Sequence, residues 1–494
     1  MAGNLFPFDN SYASLPDRFF IRQSPAPVHK PELIRLNVPM CTTLGMKPEL
    51  FDEDAGAAIF SGNRVPDGAE PIAMAYAGHQ FGGWVPRLGD GRAILLGEIV
   101  GMDGVRRDIQ LKGSGPTPFS RNGDGRAPLG PILREYVVSE GMHALGVPTT
   151  RALAAVKTGE YVVRESFLPG AILTRVAQSH VRVGTFEFFY GQGDHDGLRT
   201  LADYVIERHY PDSVNAEHPY EELLINIIRR QASLVAKWLS LGFIHGVMNT
   251  DNTAITGETI DYGPCAFMDG YSPKAVFSSI DQMGRYAYCN QPSITNWNMA
   301  QLARCLVPIM DDDAERGNYL AQGAIDRFSE VFNNEFTTIM RGKLGLHDAE
   351  DDDLGLALDL FKIMDEVKAD FTNTFRALAD IIGGQMIEET PVGEEFKNRQ
   401  VFKDWLVRWH ERLDREDSSP AERKAMMQAV NPSVIPRNHL VEAAIRAAED
   451  DNDFNPFHKL VDAVSRPFEG RMDDSIFTRS PTPEELVCQT FCGT

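Results

Sequence analysis

The sequence predicts an α+β chain of two lobes, a small β-rich one followed by a larger helical one. Three observations lead there. Residues 66–175 carry short apolar runs broken by turn residues, with one strong helical stretch among them. From about residue 198 the apolar spacing becomes that of amphipathic helices. Between the two patterns lies a polar, motif-dense stretch, FIHGVMNTDNTAITGETIDYGPCAFMD.

Residues 1–65 are rich in Pro and Asn and read as a loop-rich extension that wraps a core. RAILLGEIV and RRDIQLKG read as strands joined by the turn GMDG. Side chains alternate along a strand, so Ile109 and Leu111 face one way and Asp108, Gln110 and Lys112 the other. APLGPILREYVVSEGMHALGVP reads as a helix that starts at Pro128 or Pro131 and stops at Gly146. LAAVKTGEYVVRES reads as a hairpin turning at Thr158-Gly159-Glu160. In EELLINIIRRQASLVAKWLSLG, residues Leu224, Ile227, Ile228, Ala232 and Val235 share one helical face, and Gly242 caps the end. Beyond residue 296 come NMAQLARCLVPIM, DLGLALDLFKIMDEVKADF, FKDWLVRWHERL and HLVEAAIRAAE, all amphipathic. The acidic clusters at 311–313 and 350–353 read as solvated turns beside helix starts, where carboxylates suit the helix dipole.

Composition narrows the function. In 494 residues, 43% are hydrophobic and 24% charged, which excludes a disordered chain. The net charge of −22 argues against nucleic acid or an anionic membrane surface as a partner, though not against a local basic pocket. No apolar run approaches the ~18 residues of a membrane span. The first twenty residues lack a basic stretch followed by an apolar one, so a cytoplasmic protein is expected. Six cysteines make no disulfide framework.

Three constellations carry chemistry. Arg87-Leu88-Gly89-Asp90-Gly91-Arg92 precedes a strand, and its glycines let backbone N–H groups approach phosphate oxygens. Alone it reads as a tight turn, because the third glycine position of G-x-G-x-x-G holds Ile94. Lys112 on a strand is followed by Glu135 on a helix, the order of the lysine–glutamate pair in a kinase small lobe. The most specific is His245-Gly246-Val247-Met248-Asn249-Thr250-Asp251-Asn252, followed by Asp261-Tyr262-Gly263. Asn252 stands seven residues after His245, as in the kinase loop H-R-D-x-x-x-x-N, and D-Y-G stands for D-F-G. Asn252 and Asp261 are hard oxygen donors suited to Mg²⁺ held with nucleotide phosphates. The usual base position is Val247, which accepts no proton; the carboxylate is Asp251 instead. The residues leave two readings open: a nucleotide-binding pseudokinase, or an enzyme that transfers another part of ATP.

The chain closely resembles the selenoprotein O family, kinase-like protein adenylyltransferases also known as bacterial YdiU proteins. The resemblance runs through NSYASLPDRFF, AYAGHQFGGWVPRLGDGRAILLGE, LKGSGPTPFSRNGDGRAPLGPILREY, MNTDNTAITGETIDYGP and NPSVIPRNHLVEAAI. It implies a protein-kinase-like fold. The expected parts are an extension (1–65), a kinase-like N-lobe (66–180), a helical C-lobe (181–425) and a C-terminal helical extension with a Cys-containing tail (426–494).

It further implies ATP bound in a flipped orientation, with AMP passed to Ser, Thr or Tyr hydroxyls of proteins, including the enzyme itself, and pyrophosphate released. Mg²⁺ or Mn²⁺ is the implied metal, and redox-related proteins are candidate acceptors. Carried over by motif, Gly89, Gly91, Arg92, Lys112, Asp124 and Gly125 match nucleotide contacts, and Arg175 and Arg182 match arginines that enclose the polyphosphate. Asp251 matches the general base, and Asn252 and Asp261 the metal ligands; Glu135 is expected to orient Lys112. Without the resemblance, the two arginines read as structural salt bridges and Asp251 as a turn cap. His245 is expected to be structural, and His79 to support the loop rather than bind metal. The family's cysteine after D-Y-G is absent from Ala275–Asp281; Cys265 and Cys289 lie on either side, and Cys488 and Cys492 lie in the tail. A redox link between a tail cysteine and Cys265 or Cys289 is an expectation drawn from the resemblance. UMP transfer from UTP, a γ-phosphoryl kinase and an inactive scaffold are the alternatives.

Overall fold

A computed structural model describes residues 5–397, 399–470 and 475–491. Its first half is built on one antiparallel sheet. The strands in chain order are β1 (Phe20–Arg22), β2 (Glu32–Leu36), β3 (Ile72–Met74), β4 (Gly78–Gln80), β5 (Gly83–Val85), β6 (Ala93–Val100), β7 (Arg106–Lys112), β8 (Ala127–Pro128), β9 (Arg151–Val163) and β10 (Phe167–Ala177). The main sheet runs β1-β3-β6-β7-β10-β9-β2, with β8 paired to β10, while β4 and β5 form a separate small hairpin. Residues 1–65 are therefore less loop-like than their composition suggests. They supply both edge strands β1 and β2 and the helices α1 (Val38–Thr43) and α2 (Glu53–Phe60).

The alternation read in β7 decides which face does what. Ile109 and Leu111 enter an apolar cluster with Ile59 and Phe60 of α2 on one face. Lys112 lies opposite Leu173, and Gln110 opposite Arg175, so Lys112 and Arg175 project from the same, other face. Helix α3 (Leu129–Ala144) covers that face, packing Ile132, Leu133 and Tyr136 against Ala152, Ala155 and Leu173. Pro128 precedes its first turn.

One expected turn is corrected. Thr158-Gly159-Glu160 does not reverse the chain; β9 continues to Val163, and the reversal comes at residues 164–166. Between Lys157↔Ala171 and Tyr161↔Pro169 the pairing slips, which makes the glycine segment a bulge. Gly159 takes φ +71° there, and a side chain would run into Lys30. The same positive φ that suits a hairpin turn suits a bulge, so the glycine alone did not distinguish them.

The second half is helical. It opens earlier than the periodicity suggests, with α4 (Val183–Gly191) and α5 (His195–His209), followed by the long α6 (Pro219–Ser240). Leu224, Ile227, Ile228, Ala232 and Val235 of α6 are all buried in the main core, and Gly242 follows at φ +70°. Each large aliphatic side chain among them contributes about 1.5–3 kcal/mol by leaving water. The expected amphipathic segments lie in helices Gln291–Met310, Asp353–Val367, Gln400–Leu413 and Asn438–Asp451. Asp313 caps the helix Ala314–Leu344, and Asp353 is buried against Arg412 at 2.8 Å. Among the described residues no helix is long and apolar enough to cross a membrane.

The tail returns to the middle of the chain. Arg437, fully buried, pairs with Asp269 at 2.6 Å and Asp370 at 2.8 Å, and donates to the carbonyl of Thr478. Farther on, Thr490 donates through Oγ1 to the Pro264 carbonyl at 2.7 Å and through its main chain to Phe277 at 2.8 Å. Arg134 of α3 holds the Phe491 carbonyl at 3.0 Å.

Candidate active site

A cavity of about 690 Å³ opens between the sheet and the helical half. Gly89, Gly91, Arg92, Lys112, Asp124, Gly125, Arg175, Arg182, Asp251, Asn252 and Asp261 all border it. Residues from Gly89 to Asp261, on both the sheet and the helical half, are thus brought to one cleft.

Four of its charged groups, Lys112, Arg175, Arg182 and Asp261, form a chain of alternating sign with Glu135 behind them. Glu135, buried on α3, grips Lys112 with one carboxylate oxygen and Arg175 with the other. Arg175 pairs with Asp261 at 2.7 Å, and Arg182 pairs with the other Asp261 oxygen at 2.6 Å. Burial opposes ionisation of Glu135, but Arg175 and Lys112 outweigh it and lower its carboxyl's pKa. Burial likewise opposes Asp261, yet Arg182 and Arg175 hold its carboxyl well below the usual carboxylate range. Both acids are therefore anions, and the chain runs plus-minus-plus-minus-plus. Both arginines are charge-paired with the protein's own carboxylates, while Arg175 Nη2 and Arg182 Nε are buried without a hydrogen-bond partner.

Asp261 sits at φ +62°, a conformation aspartate tolerates better than most side chains. That turn aims its carboxylate at the arginines, while Tyr262 points into the core and bonds Thr149. Asn252 donates through Nδ2 to the Val247 carbonyl at 3.0 Å, which leaves its amide oxygen as the remaining acceptor. An ionised carboxylate and an amide oxygen bordering one cleft suit Mg²⁺ or Mn²⁺, which takes few protein oxygens when phosphates supply the rest.

Asp251 stands apart from the charge chain. Its Oδ1 is buried without a hydrogen-bond partner, and its Oδ2 accepts from Gln80 Nε2 at 3.4 Å. Burial, only partly offset by Arg182, raises its carboxyl to about 6. The carboxylate lies close under β4, where a side chain on Gly78 would come within 2.7 Å of Oδ1. It does not cap the turn through Oδ1, and Val247, which lines the same cavity, has no side-chain oxygen.

The loop that carries Asp251 is braced from several sides. His79 donates its main-chain N–H to Thr250 Oγ1 at 2.7 Å, and its ring pairs with Glu187 at 2.6 Å. Glu187 also accepts from Thr250 at 2.5 Å. His245 is buried and contacts the Ile260 carbonyl at 2.8 Å. Both histidines serve the loop. Asp124 pairs with Arg164 at 2.9 Å and sits beside Gly125 at φ +65°. The site thus includes residues that sequence reasoning passed over: Gln80, Phe81, Thr250, Glu187 and Arg164. The stretch GHQFGG, with Gly82 and Gly83 adjacent at a hairpin tip, was the available signal.

Among the described residues, no cysteine borders the cleft, and Cys41, Cys265, Cys289, Cys305 and Cys488 are free thiols. Cys265 is buried, and burial pushes its thiol up to about 12; Cys289 and Cys488 are exposed. Cys492 lies outside the described residues.

Comparison with known proteins decides the kinship. The family model described as protein adenylyltransferase SelO matches residues 4–465. The chain belongs to the SelO family. Curated SelO-family relatives called protein nucleotidyltransferase YdiU agree along nearly the whole length. The chain is 56% identical over 489 residues to that of Bradyrhizobium diazoefficiens, covering 99% of both. It is 57% identical over 489 residues to that of Rhizobium meliloti, again with 99% of both covered. As a SelO-family protein nucleotidyltransferase, it is an enzyme that acts on a nucleotide and on protein acceptors.

Proposed function

We propose that the protein transfers AMP from ATP to Ser, Thr or Tyr hydroxyls of proteins, itself included, with the nucleotide held tail-inward in a protein-kinase-like cleft. In this reading residues 66–180 and 181–425 are the two lobes, flanked by the extensions 1–65 and 426–494. The observation that carries it is the separation of charge. Lys112, Arg175 and Arg182 belong to the buried ionic chain, whereas Asp251, an acid without a cation pair and with one carboxylate oxygen unpartnered, borders the same cavity. Transfer of this kind rests on positioning and charge compensation more than on covalent help from the protein.

The polyphosphate tail takes over the guanidinium groups of Arg175 and Arg182 and approaches Lys112, while Glu135 keeps Lys112 and Arg175 oriented. Gly89, Gly91, Arg92, Asp124 and Gly125 enclose the rest of the nucleotide. The acceptor hydroxyl attacks the α-phosphorus and gives its proton to Asp251. The new oxygen–phosphorus bond forms as the bond to the β-phosphate bridging oxygen breaks, and pyrophosphate leaves with that electron pair. Asn252 and Asp261 would hold Mg²⁺ or Mn²⁺, whose charge compensates the phosphates. Support for Asp251 as base is a carboxyl raised to about 6, near neutral pH, with one oxygen unpartnered.

The test is the position of label. With α-³²P-ATP, label enters protein; with γ-³²P-ATP it does not. The reverse result replaces this reading with a kinase. A second reading, UMP transfer from UTP, is favoured by the relatives' broader name, nucleotidyltransferase. Label from α-³²P-UTP entering protein faster than from α-³²P-ATP would select it.

A further inference from the structure

The hairpin β4–β5 carries one conformation that its sequence does not favour. Phe81 sits at φ +51°, and a bulky side chain in that region stores strain unless its surroundings impose it. They do. The Phe81 N–H donates to Asn249 Oδ1 at 2.9 Å, and Tyr286 holds the same oxygen at 2.6 Å. The Phe81 ring lies against that of Tyr286, centroids 5.1 Å apart, yet it remains 37% exposed. It is held where it borders the cavity, one residue beyond Gln80, which touches Asp251.

The same cavity is lined by Ile280, 58% exposed, on the loop that Asp281 pins by accepting from the N–H groups of Arg285 and Tyr286. Two exposed apolar side chains thus line the cavity that Asp251 borders. Next to them lies a cation. Arg285 rests on the ring of Trp297, 4.9 Å from its centroid, and its guanidinium lies beneath the hairpin tip at Gly82. Among the described residues it pairs with no carboxylate, whereas Arg175 and Arg182 are committed to the buried ionic chain. An unpaired guanidinium on an aromatic shelf suits a carboxylate from outside.

We infer that Phe81, Ile280 and Arg285 form the acceptor-recognition rim. It takes a protein segment whose target hydroxyl residue has an apolar neighbour, seated between Phe81 and Ile280, and a nearby Asp or Glu, seated on Arg285. The inference rests on the protein-acceptor reading above and adds what that acceptor looks like. Phe81 acts on specificity, not on the chemical step.

The test uses the full-length protein, α-³²P-ATP and peptides with one central Ser, Thr or Tyr and varied flanks. The expected result is preferential labelling of peptides with an apolar neighbour and an acidic residue. Phe81→Gly relieves the positive φ, so it removes the ring without endangering the hairpin. It should lower kcat/KM about tenfold for the apolar-flanked peptide, leave a Gly-flanked peptide near its wild-type value, and keep ATP affinity. Arg285→Glu should shift the preference from acidic to basic flanks. The inference fails if flanks have no effect, if Phe81→Gly or Arg285→Glu leaves the preference intact, or if Phe81→Gly weakens ATP binding as much as transfer, which would give the ring to the nucleotide. Label in the protein itself but in no peptide also overturns it, while the transferase reading stands. Label in neither overturns that reading and this one with it.

Discussion

Arg182 donates from a single nitrogen to the main-chain oxygen of Asp251 at 2.7 Å and to the carboxylate of Asp261 at 2.6 Å. One guanidinium therefore ties the loop carrying the unpaired acid to the aspartate of D-Y-G. Movement of either segment is felt by the other through this side chain, which also lies 4.7 Å from the ring centroid of Tyr76.

Asp261→Ala should abolish label transfer. It should also leave Arg175 and Arg182 buried without their shared carboxylate, at a cost of about 3–5 kcal/mol. Because a polyphosphate supplies the missing anion, ATP without metal should raise the melting temperature of this variant more than that of the parent. Thermal melts with and without ATP check both statements.

Glu135→Ala removes the partner of two buried cations at once. We expect a stability loss of about 3–5 kcal/mol, read by urea unfolding. Glu135→Gln keeps the shape and should retain the fold while still losing most transfer, since Lys112 loses its countercharge and Arg175 keeps only Asp261.

Asp251→Asn should leave ATP affinity within about threefold and slow transfer by about 10²–10⁴, the span of a lost general base. Calorimetric titration and intact-protein mass spectrometry separate the two effects.

The pH dependence follows from the same residue. Its carboxyl, raised to about 6, must be ionised to accept a proton. Transfer should rise about tenfold per pH unit below that value and level off above it. In Asp251→Asn this acidic limb should vanish from the profile of kcat/KM.

Gly125→Ala should weaken nucleotide binding. A methyl there would fall 2.1 Å from the Gly115 carbonyl carbon, at φ +65°, so the loop bearing Asp124 must shift. Direct ATP titration reads the change.

Much of this cleft was legible from the sequence because its chemistry follows simple periods. Alternation along β7 put Lys112 on the face opposite Ile109 and Leu111, and the structure agrees. The seven-residue step from His245 to Asn252 and the D-Y-G beyond it marked one loop and one turn. What was not legible depended on pairing between distant segments. Nothing in LAAVKTGEYVVRES says that its glycine serves a bulge, because the partner strand decides the register. Residues 1–65 looked loop-rich because β1 and β2 are short edge strands with weak patterns. Phe81 and Gln80 were overlooked since their role comes from where the hairpin folds, beside Asp251, and not from any motif. Arg175 and Arg182 do both things at once: they are structural bridges to Asp261, and they border the cleft.

The return of Thr490 to Pro264, 226 positions earlier, has a consequence for synthesis. The segment after D-Y-G leaves the ribosome long before the residues that stitch its carbonyls in place. A nascent chain halted short of Thr490 already contains every cavity-lining residue named above but lacks that fastening, which can form only once Thr490 itself has been made.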